Sequence, residues 1–209
     1  KPITHADYSS GGPGNKGIIK PDVSAPGTRI FSTRSVRNSH QHHGCGEDGI
    51  SHITVKEGTS QATPNVACAA ALISQYFEEG RWNSQSILID GATTRVLLIN
   101  SCVQPHDSIR PDILFGYGVI DLSTLLPLNE TEKKFGLQMT KIGLNSITEN
   151  GHKVASLNVN SKKVKLQITM SYLDSLLSAS SPILLVHDLD LVVVSPSGKI
   201  FQRLLQRRR

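Results

Sequence analysis

Between residues 62 and 77, Ala62, Val66, Ala69 or Ala70, Ile73 and Phe77 recur at steps of three and four before Gly80 closes the run. That periodicity predicts a helix whose buried face is mostly alanine. Small side chains let a helix lie close against a sheet, so a central helix is expected. Cys68, set among the alanines, reads as a small buried residue. Just upstream, His52-Ile53-Thr54-Val55 alternates polar with β-branched residues, which suits a short strand leading into Gly58. A strand-to-helix transition therefore falls at Gly58-Thr59-Ser60.

The rest of the chain divides in character. Residues 1–38 are rich in turns: Ser9-Ser10-Gly11-Gly12-Pro13-Gly14 forms a cluster, Pro21 and Pro26 exclude helix nearby, and Ile30 to Thr33 suits a strand. Asn38 to Asp48 is a polar loop with His40, His42, His43 and Cys45. A second helix is expected over Ser84 to Ile99, interrupted at Gly91. Gly116 to Asp121 then reads as a turn and strand, and Pro127 as a boundary. Beyond about residue 131 the apolar period becomes two. A strand is expected over 153–159, and another has Val164, Leu166, Ile168 and Met170 inward with Lys165, Gln167 and Thr169 outward. Leu189 to Val194 is a further strand, ended by a Ser195-Pro196-Ser197-Gly198 turn. At 209 residues the chain suits two domains of roughly 100 to 150 residues or fewer.

Charge and cysteines narrow the function. The 22 cationic residues exceed the 17 acidic ones, but Arg203, Arg207, Arg208 and Arg209 supply four, leaving 18 against 17 in the body. One terminal cluster is not the basic stripe of a nucleic-acid binder, so no nucleic-acid partner is expected. No apolar run approaches the roughly 18 to 20 residues that span a bilayer, so no membrane span is expected. Cys45, Cys68 and Cys102 match neither a zinc spacing nor an even disulfide framework, and Cys45 is either a free thiol or paired with Cys102.

Ser60 is the candidate for chemistry. At a helix start the backbone N–H groups have no intrahelical partners and the helix end carries partial positive charge, so the Ser60 N–H suits an oxyanion while Gly58 leaves room for a substrate. Pro64 cannot donate to the Ser60 carbonyl four residues back, so the first turn is expected to bend or open. From the residues alone, an ordinary N-cap role for Thr59 or Ser60 is the simpler reading.

Resemblance reverses that preference. Gly58-Thr59-Ser60-Gln61-Ala62-Thr63-Pro64-Asn65-Val66-Ala67 resembles the serine motif of the subtilisin-like proteases (subtilases, peptidase family S8), with Cys68 where that motif ends in glycine. Lys20-Pro21-Asp22-Val23-Ser24-Ala25-Pro26-Gly27 resembles the strand and turn before that motif, Ser9-Ser10-Gly11-Gly12 an earlier turn, and Gly116-Tyr117-Gly118-Val119-Ile120-Asp121 the closing turn. The resemblance implies an α/β fold in which residues 1–127 form the C-terminal portion of a subtilisin-like parallel-sheet domain. It also implies a serine endopeptidase acting on polypeptide through an acyl-enzyme at Ser60, with Gly58, Thr59 and Ser60 as the oxyanion and substrate-binding backbone. A secreted or lysosome-like destination is the family's suggestion.

The family places its catalytic histidine, orienting aspartate and oxyanion asparagine ahead of the segments matched here. His42-His43-Gly44 and Asp48-Gly49-Ile50 echo two of those motifs but stand in the wrong order, directly before Ser60. The chain alone is therefore expected to be inactive, and the missing N-terminal part of its own catalytic domain is a candidate partner. The alternative is a degenerate, non-catalytic binding or structural protein.

Residues 128–209 are expected to form a truncated antiparallel β-sandwich, jelly-roll-like. Leu166 to Asp174 followed by Val186 to Gly198 resembles the module that follows the catalytic domain in the KP-43-like alkaline proteases. No cofactor is required for the chemistry. Asp174, Asp188 and Asp190 are candidates for a structural calcium, although at least six oxygens are needed and a solvent-facing or edge-capping role is the simpler reading.

Overall fold

The computed structural model describes residues 3–15, 18–34, 53–105, 110–126, 136–142, 147–148, 151–159, 166–178, 181 and 185–202. Strand β1 (Ile30–Thr33) pairs antiparallel with β2 (Ile53–Lys56), Phe31 opposite Val55. Helix α1 (Thr59–Glu78) follows, then α2 (Gly91–Ser101), which runs directly into β3 (Cys102–Val103). β4 (Val119–Ile120) pairs antiparallel with β3, and a 3-10 turn spans Leu122–Thr124. Among the described residues, the expected parallel sheet is reduced to one parallel bridge between Ser24 and Val119. The elements are those of a partial α/β unit.

The core is where α1 meets α2. Ile73, Tyr76 and Phe77 of α1 pack with Leu97, Leu125 and Leu126, flanked by Trp82 and Ile89. Phe77 is fully buried, with the Tyr76 and Trp82 rings 5.7 and 5.6 Å from its own. The Trp82 indole N–H donates to the Leu137 carbonyl at 3.2 Å, tying segment 136–142 to this core. Cys68 is exposed, contrary to expectation. At 100° per residue it points away from the Ala69–Ile73–Phe77 side and shares an exposed face with Ala71 and Leu72, the latter 49% exposed.

The second helix begins at Gly91, not at Ser84, and Gly91 is its first residue rather than an interruption. Asp90 is the reason: its carboxylate accepts from the Thr93 N–H at 2.8 Å and the Thr93 hydroxyl at 2.7 Å. Those two bonds, with Lys141 at 2.9 Å adding to them, hold the Asp90 carboxyl well below the usual carboxylate range. Replacing Asp90 by alanine removes the cap and is expected to cost about 1 kcal/mol, read as a lower urea midpoint with unchanged m-value.

Three of the segments singled out above meet in space. Gly12 donates its N–H to the Ile113 carbonyl at 2.7 Å, Tyr117 to the Asp22 carbonyl at 2.8 Å, and Ser24 to the Gly118 carbonyl at 2.8 Å. Gly116 has φ +61, and a Cβ there would lie 2.2 Å from the Pro21 carbonyl oxygen, so no other residue fits. The Asp22 side chain completes the join, with Lys20 and Arg95 as ion-pair partners. Burial opposes its charge, but these cations more than offset that and keep its carboxyl below the ordinary range.

In the C-terminal third, β5 (Val192–Val194) and β6 (Ile200–Gln202) form an antiparallel hairpin across the expected 195–198 turn. Residues 151–159 and 166–170 belong to no ladder, so the expected strands there are not formed among the described residues. The expected alternation over 166–170 also fails: Leu166 and Met170 are exposed, while Ile168 is half-buried together with Gln167 and Thr169. The Gln167 amide donates to the Asn100 carbonyl at 3.1 Å and accepts from Arg110 at 3.1 Å. The last carbonyls of a helix lack intrahelical donors, and here a glutamine supplies one to α2. Residues 127 to 135, where the boundary between domains was expected, lie outside the described residues.

Candidate active site

Ser60 occupies the second position of α1, one turn after β2 ends at Lys56. The residue capping the helix is Gly58, at φ 146, and no side chain makes a cap bond. Its carbonyl accepts from Gln61 at 3.1 Å and from Ala62 at 3.3 Å. Neither Thr59 nor Ser60 is an N-cap, so the simpler sequence reading does not hold. Ser60 is exposed, and among the described residues its hydroxyl has no hydrogen-bond partner. Its N–H lies in the first turn, where the helix offers no acceptor and the dipole favours negative charge.

Pro64 does not open the helix, which is continuous from Thr59 to Glu78. The first turn is braced by side chains instead. The Thr63 hydroxyl donates to the Thr59 carbonyl at 2.9 Å, and Asn65 Nδ2 approaches the Gln61 carbonyl at 3.3 Å. Asn65 Nδ2 also donates to the Pro26 carbonyl at 2.8 Å, while Gly58 donates its N–H to the Gly27 carbonyl at 3.0 Å. A Cβ on Gly27 would lie 2.7 Å from the Gly58 carbonyl oxygen and 3.2 Å from Ala62 Cβ, so this turn and the helix start touch backbone to backbone. The structure thus brings Gly58, at the start of the helix that carries Thr59 and Ser60, against the 25–27 turn. It adds Gly27 and Asn65, which the sequence reading did not single out. The signal for Asn65 was faint: asparagine is a poor interior helix residue that favours side-chain bonds to backbone.

His40, His42, His43, Cys45 and Asp48 lie outside the described residues. Cys102 is a buried thiol, and burial pushes its pKa up to about 12, with the Arg110 charge a smaller opposing influence.

Of the three aspartates considered for calcium, Asp174 is filled by nitrogen donors. Its oxygens accept from Ser175 N at 2.8 Å, Val186 N at 2.7 Å, and His187 through both its N–H at 3.1 Å and its ring Nδ1 at 2.8 Å. Among the described residues, no three His, Cys, Asp or Glu side chains gather in a way that could hold a metal ion. Burial works against the Asp174 charge, but the His187 ring and the three backbone N–H groups draw its pKa down to about 2. A carboxyl that holds its proton less readily when folded stabilises the fold above its unfolded pKa of about 3.9 and loses that contribution as pH falls towards 2. Exchange of the Val186 amide should therefore accelerate between pH 4 and about 2 beyond its intrinsic pH dependence. The Asp174→Asn variant should remove that excess acceleration.

No helix of the described residues is long and apolar enough to cross a membrane. Among characterised proteins, the chain is similar to the serine protease/ABC transporter B family protein tagA of Dictyostelium discoideum, 28% identical over 90% of this chain and 11% of that one. It is 34% identical to the minor extracellular protease Vpr of Bacillus subtilis, over 62% of this chain and 16% of Vpr. The subtilisin-like protease SBT4.14 of Arabidopsis thaliana is 30% identical over 54% of this chain and 14% of its own. The chain therefore spans less than a fifth of the length of these relatives. The subtilase family model (Peptidase_S8) matches residues 3–118, which takes in the Ser9–Gly12 turn, the Lys20–Gly27 segment and the whole helix that carries Ser60, and the chain belongs to the subtilase family.

Proposed function

We propose that this chain carries the nucleophile-bearing part of a subtilisin-type serine endopeptidase, with Ser60 as the attacking residue. The observation that carries the reading is an exposed serine, without a hydrogen-bond partner among the described residues, in the first turn of a helix capped only by glycine. In the reaction, Ser60 Oγ attacks the peptide carbonyl carbon as its proton passes to a base. The carbonyl oxygen becomes an oxyanion that the Ser60 N–H is placed to stabilise. The amine leaves with a proton, and water then hydrolyses the acyl-enzyme.

Among the described residues no histidine bonds to Ser60, and without a base its hydroxyl keeps an alcohol's weak nucleophilicity. The chain by itself is therefore inactive in this proposal. Helix α1 supports a further protein layer: it is apolar on the Ile73–Phe77 face and again along Ala67, Cys68, Ala71 and Leu72, and a helix apolar all round suits the middle of a domain. The N-terminal part of a subtilase catalytic domain, bearing the histidine, aspartate and asparagine, is the proposed cover. Residues 128–209 are read as a β-sandwich of the KP-43-like type. The β5–β6 hairpin favours this. The substrate is polypeptide, and a secretory route is proposed because Vpr is named as extracellular.

The test is casein hydrolysis by this chain extended with the residues its coding sequence places in frame ahead of Lys1. The reading expects activity that Ser60→Ala abolishes. Activity unaffected by Ser60→Ala overturns the nucleophile assignment, and no activity favours the non-catalytic alternative.

A further inference from the structure

We infer that Asn65 is a positioning residue for Ser60, holding the first turn of α1 against the Ala25–Gly27 turn. The inference rests on Ser60 being the reactive group, and it assigns Asn65 no contact with substrate.

Pro64 creates the need. With no N–H at position 64, the Ser60 carbonyl loses its intrahelical donor, so the residue whose geometry matters most is the one the helix ladder holds least. The carbonyls on either side of it are met by side chains: Thr59 by the Thr63 hydroxyl at 2.9 Å, and Gln61 by Asn65 Nδ2 at 3.3 Å. Thr63 braces the helix only to itself. Asn65 alone of the two also reaches another segment, through the 2.8 Å bond to the Pro26 carbonyl.

The amide orientation follows from chemistry. Both neighbours of Nδ2 are carbonyl oxygens, so the flipped rotamer would set oxygen against oxygen twice, and only the donor orientation is satisfied. A second tie lies close by, where Gly58 N–H donates to the Gly27 carbonyl at 3.0 Å. The helix start is thus held to consecutive carbonyls of one turn, Pro26 through Asn65 and Gly27 through Gly58, and Ser60 lies between the two tying residues. Neither tie touches the Ser60 hydroxyl, which stays free to react. The buried core around Phe77 lies more than two helical turns further along α1, so the two ties govern placement of the helix start more than global stability.

The experiment is residue-resolved amide exchange on the 209-residue chain, comparing wild type with Asn65→Ala and with Asn65→Asp, which keeps the shape but replaces the donor by an oxygen. The Gly58 N–H should exchange on the order of 10-fold faster in both variants, the effect of losing about one hydrogen bond locally, while Ile73 and Leu97 amides stay within about twofold of wild type. An unchanged Gly58 rate, or equal acceleration at Gly58, Ile73 and Leu97, overturns the inference. Should Asn65→Ala not fold, Asn65→Asp carries the same comparison. The Ser60 amide resonance should also shift in both variants while those of Ile73 and Leu97 stay in place, an unchanged Ser60 resonance overturns the inference, and neither readout depends on any reaction at Ser60.

Discussion

Phe77→Ala is expected to destabilise the chain by about 3–5 kcal/mol, the largest loss from any single side-chain truncation proposed for it. The residue is fully buried, its ring packs on those of both Tyr76 and Trp82, and it belongs to the cluster joining α1 to Leu97 and Leu126. Its carbonyl also accepts from Gly80 at 3.1 Å and Ile87 at 3.0 Å, so the end of α1 and the return of the chain towards α2 depend on its placement. Few neighbours are free to collapse into the space, because the cluster is held from two helices at once. Urea unfolding followed by Trp82 fluorescence gives the comparison. Leu72→Ala, on the same helix but 49% exposed, should cost about 1 kcal/mol or less. Equal losses at the two sites would show that the core does not lie where α1 meets α2.

Gly116→Ala is the second large effect, for a different reason. The added Cβ would sit 2.2 Å from the Pro21 carbonyl oxygen and 2.5 Å from that of Asp22, and both obstacles are backbone. A positive φ of 61 adds a conformational cost of about 1 kcal/mol for an L residue, and relief of the clash adds about 1–3 kcal/mol more. A total of about 2–4 kcal/mol is expected in a urea titration. The displaced backbone leads directly into Pro26 and Gly27, so exchange at Gly58 should rise as well, coupling a distant glycine to the Ser60 junction. A cost under about 0.5 kcal/mol would mean that segments 20–24 and 116–118 are not joined as described.

What could be read in advance follows from how local each signal is. The α1 helix was legible because its apolar residues repeat through about four turns. β1 and β2 were legible as β-branched runs beside turn residues, and the 195–198 turn as Pro196 followed by Gly198. The start of α2 was misplaced because Gly91 reads as a breaker unless Asp90 is seen to cap the helix, and capping is a three-dimensional act of one side chain. Cys68 and Gln167 were assigned to the wrong faces for a related reason. Periodicity shows that two faces differ, but only tertiary contacts decide which is covered, and in Gln167 the demand of the α2 carbonyls outweighed the alternation. At the site, the Gly-Thr-Ser motif located Ser60, whereas the roles of Gly27 and Asn65 depend on a turn more than thirty residues earlier in the chain.

Ser60 is proposed as a nucleophile that no histidine among the described residues activates. Fluorophosphonate treatment of the purified chain, with the adduct located by peptide mass spectrometry, tests this most directly. The account predicts no adduct at Ser60 above the level in Ser60→Ala, because an unactivated alcohol does not react on the assay timescale. A stoichiometric adduct on Ser60 would contradict it, showing that a base is already supplied by this chain.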